Sequence, residues 1–129
     1  MQGAHLIAEF FGCQGDPTLL HHADRLRDIC LAKLADAGLC SLGDHFHQFA
    51  PHGTTGTTGS IIMAGAHLAL HTWPEHGYVS LDIFVSNYTR DHTPEARQLF
   101  EAIRELFAPQ QVHLKQLGRS EVPQWELMA

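Results

Sequence analysis

The sequence predicts an α+β fold: a two-layer α/β sandwich in which a mainly antiparallel sheet carries two helices on one face. Three observations predict it. Segments with the period-two alternation of strands outnumber those with helical spacing. The order reads β-α-β-β-β-α-β, and short turns between successive strands pair neighbours antiparallel. Two amphipathic helices cover only one sheet face, so the other needs a cover, for which a second copy of the chain is the natural candidate. With 129 residues, 44% of them hydrophobic, a single domain over 1–129 can bury a core without disulfides or a structural metal.

Each element follows from its residues. From Ala4 to Phe11, Leu6, Ala8 and Phe10 fall on one face and His5, Ile7, Glu9 and Phe11 on the other, which makes a strand. Gly12 to Pro17 is a turn. Leu26, Ile29, Cys30 and Leu34 then recur at helical spacing, in a helix ending near Gly38. Leu39 to Phe49 reads as a second strand, interrupted by Gly43 and Asp44. The Gly/Thr run over 53–59 reads as a loop, because such a composition packs no core. Ser60 to His71 is apolar and reads as one buried strand, followed by a turn over Thr72 to Gly77. Tyr78 to Val85 alternates as a strand. Thr93 is the expected N-cap of a second helix, with Pro94 at its first position and the stripe Leu99, Phe100, Ile103, Leu106 and Phe107 facing the core as far as about Ala108. Pro109 stops it, Val112 to Leu117 forms a last strand, and 118–129 reads as a loose tail.

Charge and composition exclude several function classes. Eight Lys and Arg stand against 14 Asp and Glu, a net charge of -6, which rules out the basic surface that nucleic-acid binding requires. No apolar run approaches the ~20 residues that span a bilayer, and the N-terminus lacks a signal-peptide pattern. The three cysteines, Cys13, Cys30 and Cys40, have no CxxC spacing and read as structural, so a reducing cytoplasm is the expected compartment. The 11 histidines are the compositional anomaly. His45 and His47 share a strand face, and so do His67 and His71. Scattered as they are, they read as strand and surface histidines, and no metal site is assigned. A His-rich metal-binding or sensor protein is kept as an alternative.

Chemistry concentrates in Ala64 to Glu75. His67 alone reads as an ordinary strand histidine. His71, Trp73 and Glu75 gathered at one strand end suit a nucleoside, with an aromatic face for the base and hydrogen-bonding groups for ribose hydroxyls.

These residues sit in three ordered blocks: Gly3-Ala4-His5-Leu6-Ile7-Ala8-Glu9-Phe10-Phe11-Gly12-Cys13; Phe46-His47-Gln48-Phe49-Ala50-Pro51-His52-Gly53; and His67-Leu68-Ala69-Leu70-His71-Thr72-Trp73-Pro74-Glu75-His76-Gly77-Tyr78, followed by Leu81-Asp82-Ile83-Phe84. Together they resemble the bacterial S-adenosylmethionine decarboxylase family, the short pyruvoyl-dependent form, over roughly residues 3–117. The resemblance implies a precursor that cleaves itself between Glu and Ser in the motif AESH, and a pyruvoyl group that forms a Schiff base with the substrate amine. It also implies a Cys that reprotonates the product, a dimer with ligand sites near its interface, and a place in spermidine synthesis. His71 matches the processing histidine, Glu75 a carboxylate at the ribose, and Phe49 and Trp73 aromatic positions flanking adenine; His67 is grouped with these as ligand-binding.

The reacting centre departs from that pattern. AESH reads Ala64-Gly65-Ala66-His67, so Ala66 stands at the pyruvoyl-forming Ser and Gly65 at the Glu before the scissile bond. Ser86 stands at the proton-donor Cys, and the GVSG loop is lengthened to GTTGTTG. An engineered Ser to Ala change would explain Ala66 alone. The coordinated changes point instead to a natural paralogue that stays uncleaved, carries no pyruvoyl cofactor, does not decarboxylate, and binds an adenosyl or amino-acid ligand as a homodimer or larger. An active S-adenosylmethionine-using enzyme with different catalytic groups is the enzyme alternative.

Overall fold

The computed structural model describes residues 3–50 and 55–119. Six strands form one sheet: β1 (Gly3–Cys13), β2 (Gly43–Phe49), β3 (Gly56–Met63), β4 (Ala66–Trp73), β5 (Tyr78–Ser86) and β6 (Pro109–Arg119). Their spatial order is β2-β3-β4-β5-β1-β6, and every neighbouring pair is antiparallel. Helices α1 (Thr18–His21), α2 (Ala23–Asp36) and α3 (Thr93–Phe107) pack on one face, which gives the expected α+β sandwich with one short extra helix. Among the described residues no helix is long and apolar enough to cross a membrane.

Period-two alternation builds the core. Leu6, Ala8 and Phe10 of β1, Leu68 and Leu70 of β4, and Leu81 and Ile83 of β5 point toward the helices and are buried. They meet Leu26, Cys30 and Leu34 of α2 and Leu99, Phe100, Ile103 and Phe107 of α3. The Phe10 ring lies 5.9 Å from Phe100 and 6.2 Å from Phe107, centroid to centroid. Burial of each such side chain contributes about 1.5–3 kcal/mol, which is what holds the helices on this face.

Five sequence expectations change. Ser60 to His71 is not one strand but the β3–β4 hairpin, turning through Ala64 and Gly65 between the paired Met63 and Ala66. Gly65 has φ +65°, the sign a type II turn requires at its second central position, and glycine adopts it without steric cost. Two small residues inside an apolar run carry no polar turn signal, so the strand count rises from five to six.

The Gly/Thr run is not wholly a loop. Residues 53–54 lie outside the described residues, but Gly56 to Gly59 belong to β3. A Cβ on Gly56 would stand 2.6 Å from the Phe49 ring, so the thin residue is needed for close strand packing. Helix α3 starts one residue earlier than expected: His92 is the N-cap, Thr93 is already helical, and Asp91 Oδ1 accepts the Thr93 amide at 2.9 Å. Finally, β6 continues through Gly118 to Arg119, paired with β1 from Gly3 opposite Arg119 to Cys13 opposite Pro109. The remainder of the expected tail, 120–129, lies outside the described residues. Gly43 and Asp44 open β2 rather than interrupting it, with Arg27 of α2 forking onto Asp44 at 2.6 and 3.2 Å.

Thr72 ties the layers together. It is fully buried; its Oγ1 donates to the Leu20 carbonyl at 3.0 Å and accepts the Thr57 amide at 2.9 Å. Thr72→Val keeps the shape but orphans both backbone partners. We expect a loss of about 2–4 kcal/mol in urea unfolding, the scale for two buried groups left unpaired.

Candidate functional site

The strand alternation that buries one face sets out the chemistry on the other. His5, Ile7 and Glu9 of β1, His67, Ala69, His71 and Trp73 of β4, and Tyr78, Ser80, Asp82 and Phe84 of β5 all point away from the helices. Two aromatic groups form there. Phe84 lies 5.7 Å from His67 and 6.2 Å from His5, with the Arg119 guanidinium 4.9 Å above its ring. Toward the other end of the sheet, Tyr78 lies 5.1 Å from Trp73 and 5.2 Å from Phe11, and its hydroxyl donates to Glu9 at 2.9 Å.

The expected site residues therefore divide. Ala66 begins β4 and Trp73 ends it; seven steps at ~3.3 Å separate them by about 23 Å. Gly65, Ala66 and Ser86 stand at one end, with His67 close by on the open face. His71, Trp73, Glu75 and Phe49 stand toward the other. A single chain does not bring the two sets together, and His67 does not join the other three ligand-binding candidates.

Beside Gly65 and Ala66 lies a cavity of about 540 Å³. Its walls are the residues after α2 (Gly38, Leu39 and Cys40), the β3–β4 turn, the end of β5, and Tyr88, Thr89 and His92 from the loop before α3. The Ser86 amide donates to the Gly65 carbonyl at 3.0 Å, fastening the turn to β5. Ser86 Oγ in turn accepts the Tyr88 amide at 3.2 Å. Asn87 braces the loop, accepting the His92 amide at 2.8 Å and donating to Thr93 Oγ1 at 3.2 Å. Gly65, Ala66 and Ser86, singled out from the sequence, line this one cavity; so do Cys40 and His92, which belong to no motif.

At the opposite end His71 Nδ1 lies 3.1 Å from Thr58 Oγ1 across the β3–β4 pair. Thr58 was missed because its segment reads as a loop. Phe49 closes β2 over Gly56, and Glu75 is exposed on the 3₁₀ turn Pro74–His76. His45 and His47 stack at 6.4 Å on the open side of β2, whereas Asp44 faces the helices and is held by Arg27. Among the described residues no three His, Cys, Asp or Glu side chains converge to hold a metal ion.

A sequence model of the S-adenosylmethionine decarboxylase family matches residues 4–120. The chain belongs to that family. It is 34% identical over 121 residues to the S-adenosylmethionine decarboxylase proenzyme of Persephonella marina, covering 94% of this chain and 84% of that one. It is 34% identical over 117 residues to the proenzyme of Thermococcus gammatolerans, covering 91% and 76%. The crystal structure of the adenosylmethionine decarboxylase from Aquifex aeolicus is similar in fold, with a TM-score of 0.79 at 25% identity over 95% of this chain and 93% of that one. The similarity to decarboxylases of this family thus spans the whole sheet, including the strands that carry Ala66 and Ser86.

The thiols of this family member differ sharply in environment. Burial pushes the Cys13 thiol up to about 11 and that of Cys30, inside the core, up to about 12. Cys40 is exposed at the cavity. Since the thiolate is the nucleophile, iodoacetamide at pH 8 should alkylate the native chain once, at Cys40, with Cys13 and Cys30 reacting only after denaturation; peptide mass mapping reads the result.

Proposed function

We propose that this chain is a family member that does not process itself, carries no pyruvoyl group and does not decarboxylate S-adenosylmethionine, but binds that compound or a close adenosyl amino-acid ligand. Its place is spermidine and polyamine synthesis, where it would modulate an active homologue. The observation that carries the reading is Ala66 at the first position of β4, where the resemblance puts the pyruvoyl-forming Ser.

The chemistry supports it. Self-cleavage needs a hydroxyl at residue 66 to attack the carbonyl of residue 65, and a methyl group neither attacks nor becomes a ketone. The residues present do not fit the pyruvoyl group. The Gly65 carbonyl accepts the Ser86 amide in a relaxed two-residue turn. Ser86 offers only a weakly acidic hydroxyl where the family pattern has a thiol, so proton return to a product carbanion is also lost. The candidate binding residues are all present: Phe49 and Trp73 supply aromatic faces, Glu75 an exposed carboxylate and His67 an imidazole on the open face, while His71, at the processing-histidine position, pairs with the Thr58 hydroxyl.

A second copy is part of this reading. The cavity end and the aromatic end of one protomer are about 23 Å apart along β4 at ~3.3 Å per residue. Two open sheet faces packed about a two-fold axis would set the cavity of one copy near the Phe49, Trp73 and Glu75 of the other, completing one ligand site from two chains. The same packing would cover the rings of Phe84, Trp73 and Tyr78 and the exposed Ile62 and Leu117.

Three measurements test this. Intact mass spectrometry should find one chain; spontaneous appearance of fragments 1–65 and 66–129 in protease-free protein refutes the processing claim. Light scattering should give a dimer or larger at every working concentration, whereas a persistent monomer overturns the two-chain site. Calorimetry should show S-adenosylmethionine or its decarboxylated form binding without release of carbon dioxide, and Trp73→Ala should weaken binding by about 1–3 kcal/mol, the scale of one base stack. Absence of heat at millimolar ligand sinks the binding claim, and carbon dioxide release sinks the loss of decarboxylation.

A further inference from the structure

The cavity holds one imidazole and no carboxylate among its lining side chains. That imidazole, His92, belongs to none of the three sequence blocks. Its Nδ1 is sealed from solvent and has no hydrogen-bond partner among the described residues; Oε2 of Glu95 is in the same condition. The two atoms face each other at 3.8 Å. The other Glu95 oxygen, Oε1, accepts from Arg90 at 2.9 Å, and that guanidinium holds the Glu95 carboxyl below the usual carboxylate range. Glu95 is thus an ionised acceptor whose free oxygen is turned to the ring. The backbone of His92 is fixed by Asn87, so the pair is not an accident of a loose loop.

A carboxylate at Nδ1 selects the tautomer with the proton there, leaving the Nε2 lone pair bare. With Nδ1 sealed and the ring lining the cavity at 26% side-chain exposure, the Nε2 edge is the one offered to a ligand. The cavity's remaining polar groups are hydroxyls, a thiol and backbone. An ammonium group entering such a place loses its water and needs a strong acceptor.

We propose that His92, backed by Glu95, presents Nε2 to the cavity and accepts a hydrogen bond from the ammonium group of an α-amino-acid ligand. This rests on the reading that the chain binds an adenosyl amino acid without covalent capture. Where residue 66 is Ala, no ketone takes up the amine, and the His92 imidazole with a carboxylate behind it holds the amine non-covalently instead.

Nitrogen-15 NMR of the full chain reads the ring directly. In the free protein at pH 7.5 the expected signature is a protonated Nδ1 and a bare Nε2, lost in Glu95→Gln. S-adenosylmethionine should shift the Nε2 resonance, and the analogue lacking the amino group should not. His92→Gln should weaken S-adenosylmethionine binding about ten- to a hundredfold, the scale of one hydrogen bond to a charged group, while leaving the deaminated analogue unaffected. Glu95→Gln gives a second, milder variant should the first fold poorly.

Two results overturn the proposal by itself. One is an Nε2-protonated ring indifferent to Glu95→Gln. The other is S-adenosylmethionine bound equally by wild type and His92→Gln, which would leave the adenosyl-binding reading standing. If no adenosyl ligand binds at all, that underlying reading fails and the ammonium assignment falls with it. The tautomer measurement then shows whether the His92–Glu95 pair itself survives.

Discussion

Pairing of β4 with β5 in a single register governs everything that distinguishes this molecule. Ala66 opposite Val85 sets the β3–β4 turn beside Ser86, and Trp73 opposite Tyr78 closes the far end of the same ladder. Between them Leu68 and Leu70 enter the core while His67, Ala69 and His71 take the open face. A slip of one residue would exchange those two sets and bury imidazoles under α2 and α3. The register is held by the apolar side chains it buries, by Thr72 bonding back to α1 and β3, and by the Gly65 carbonyl on the Ser86 amide. Fold stability and site geometry therefore depend on the same contacts.

The parts legible from sequence were those where period and burial agree. The α3 stripe and the alternation of β1 and β5 follow from side chains that must reach one core, and the structure places them accordingly. Ser60 to His71 was misread because buried strands on both sides of a tight turn look continuous when the turn uses Ala and Gly. The Gly/Thr run was misread because composition does not reveal that Phe46 and Phe49 lie over glycines of the neighbouring strand. Both errors are cases of tertiary packing overriding a local signal.

The site was legible in part and for a different reason. Ala66, Gly65 and Ser86 were identified through family resemblance, and strand pairing does place them together. That the aromatic set lies a whole strand away was hidden by the missing turn, since strand lengths fix such distances. His92 and Glu95 had no sequence signal beyond a helix start; their importance comes from two sealed atoms facing each other beside a cavity. Thr72 runs the other way. Inside the block that suggests a ligand site, it is a buried structural hub, so the presence of that block is accounted for in part by folding alone.

The two-residue turn at Ala64-Gly65 also decides how the chain assembles. It keeps β3 and β4 covalently joined as neighbours in sequence, so the central ladder closes with little loss of chain entropy. A cut at 65–66 would divide the sheet between peptides of 65 and 64 residues, with β3 on one and β4 on the other. Refolding would then become a second-order encounter between two incomplete sheets, each with a long unpaired edge. An unbroken turn lets the sheet recover from unfolding at any dilution.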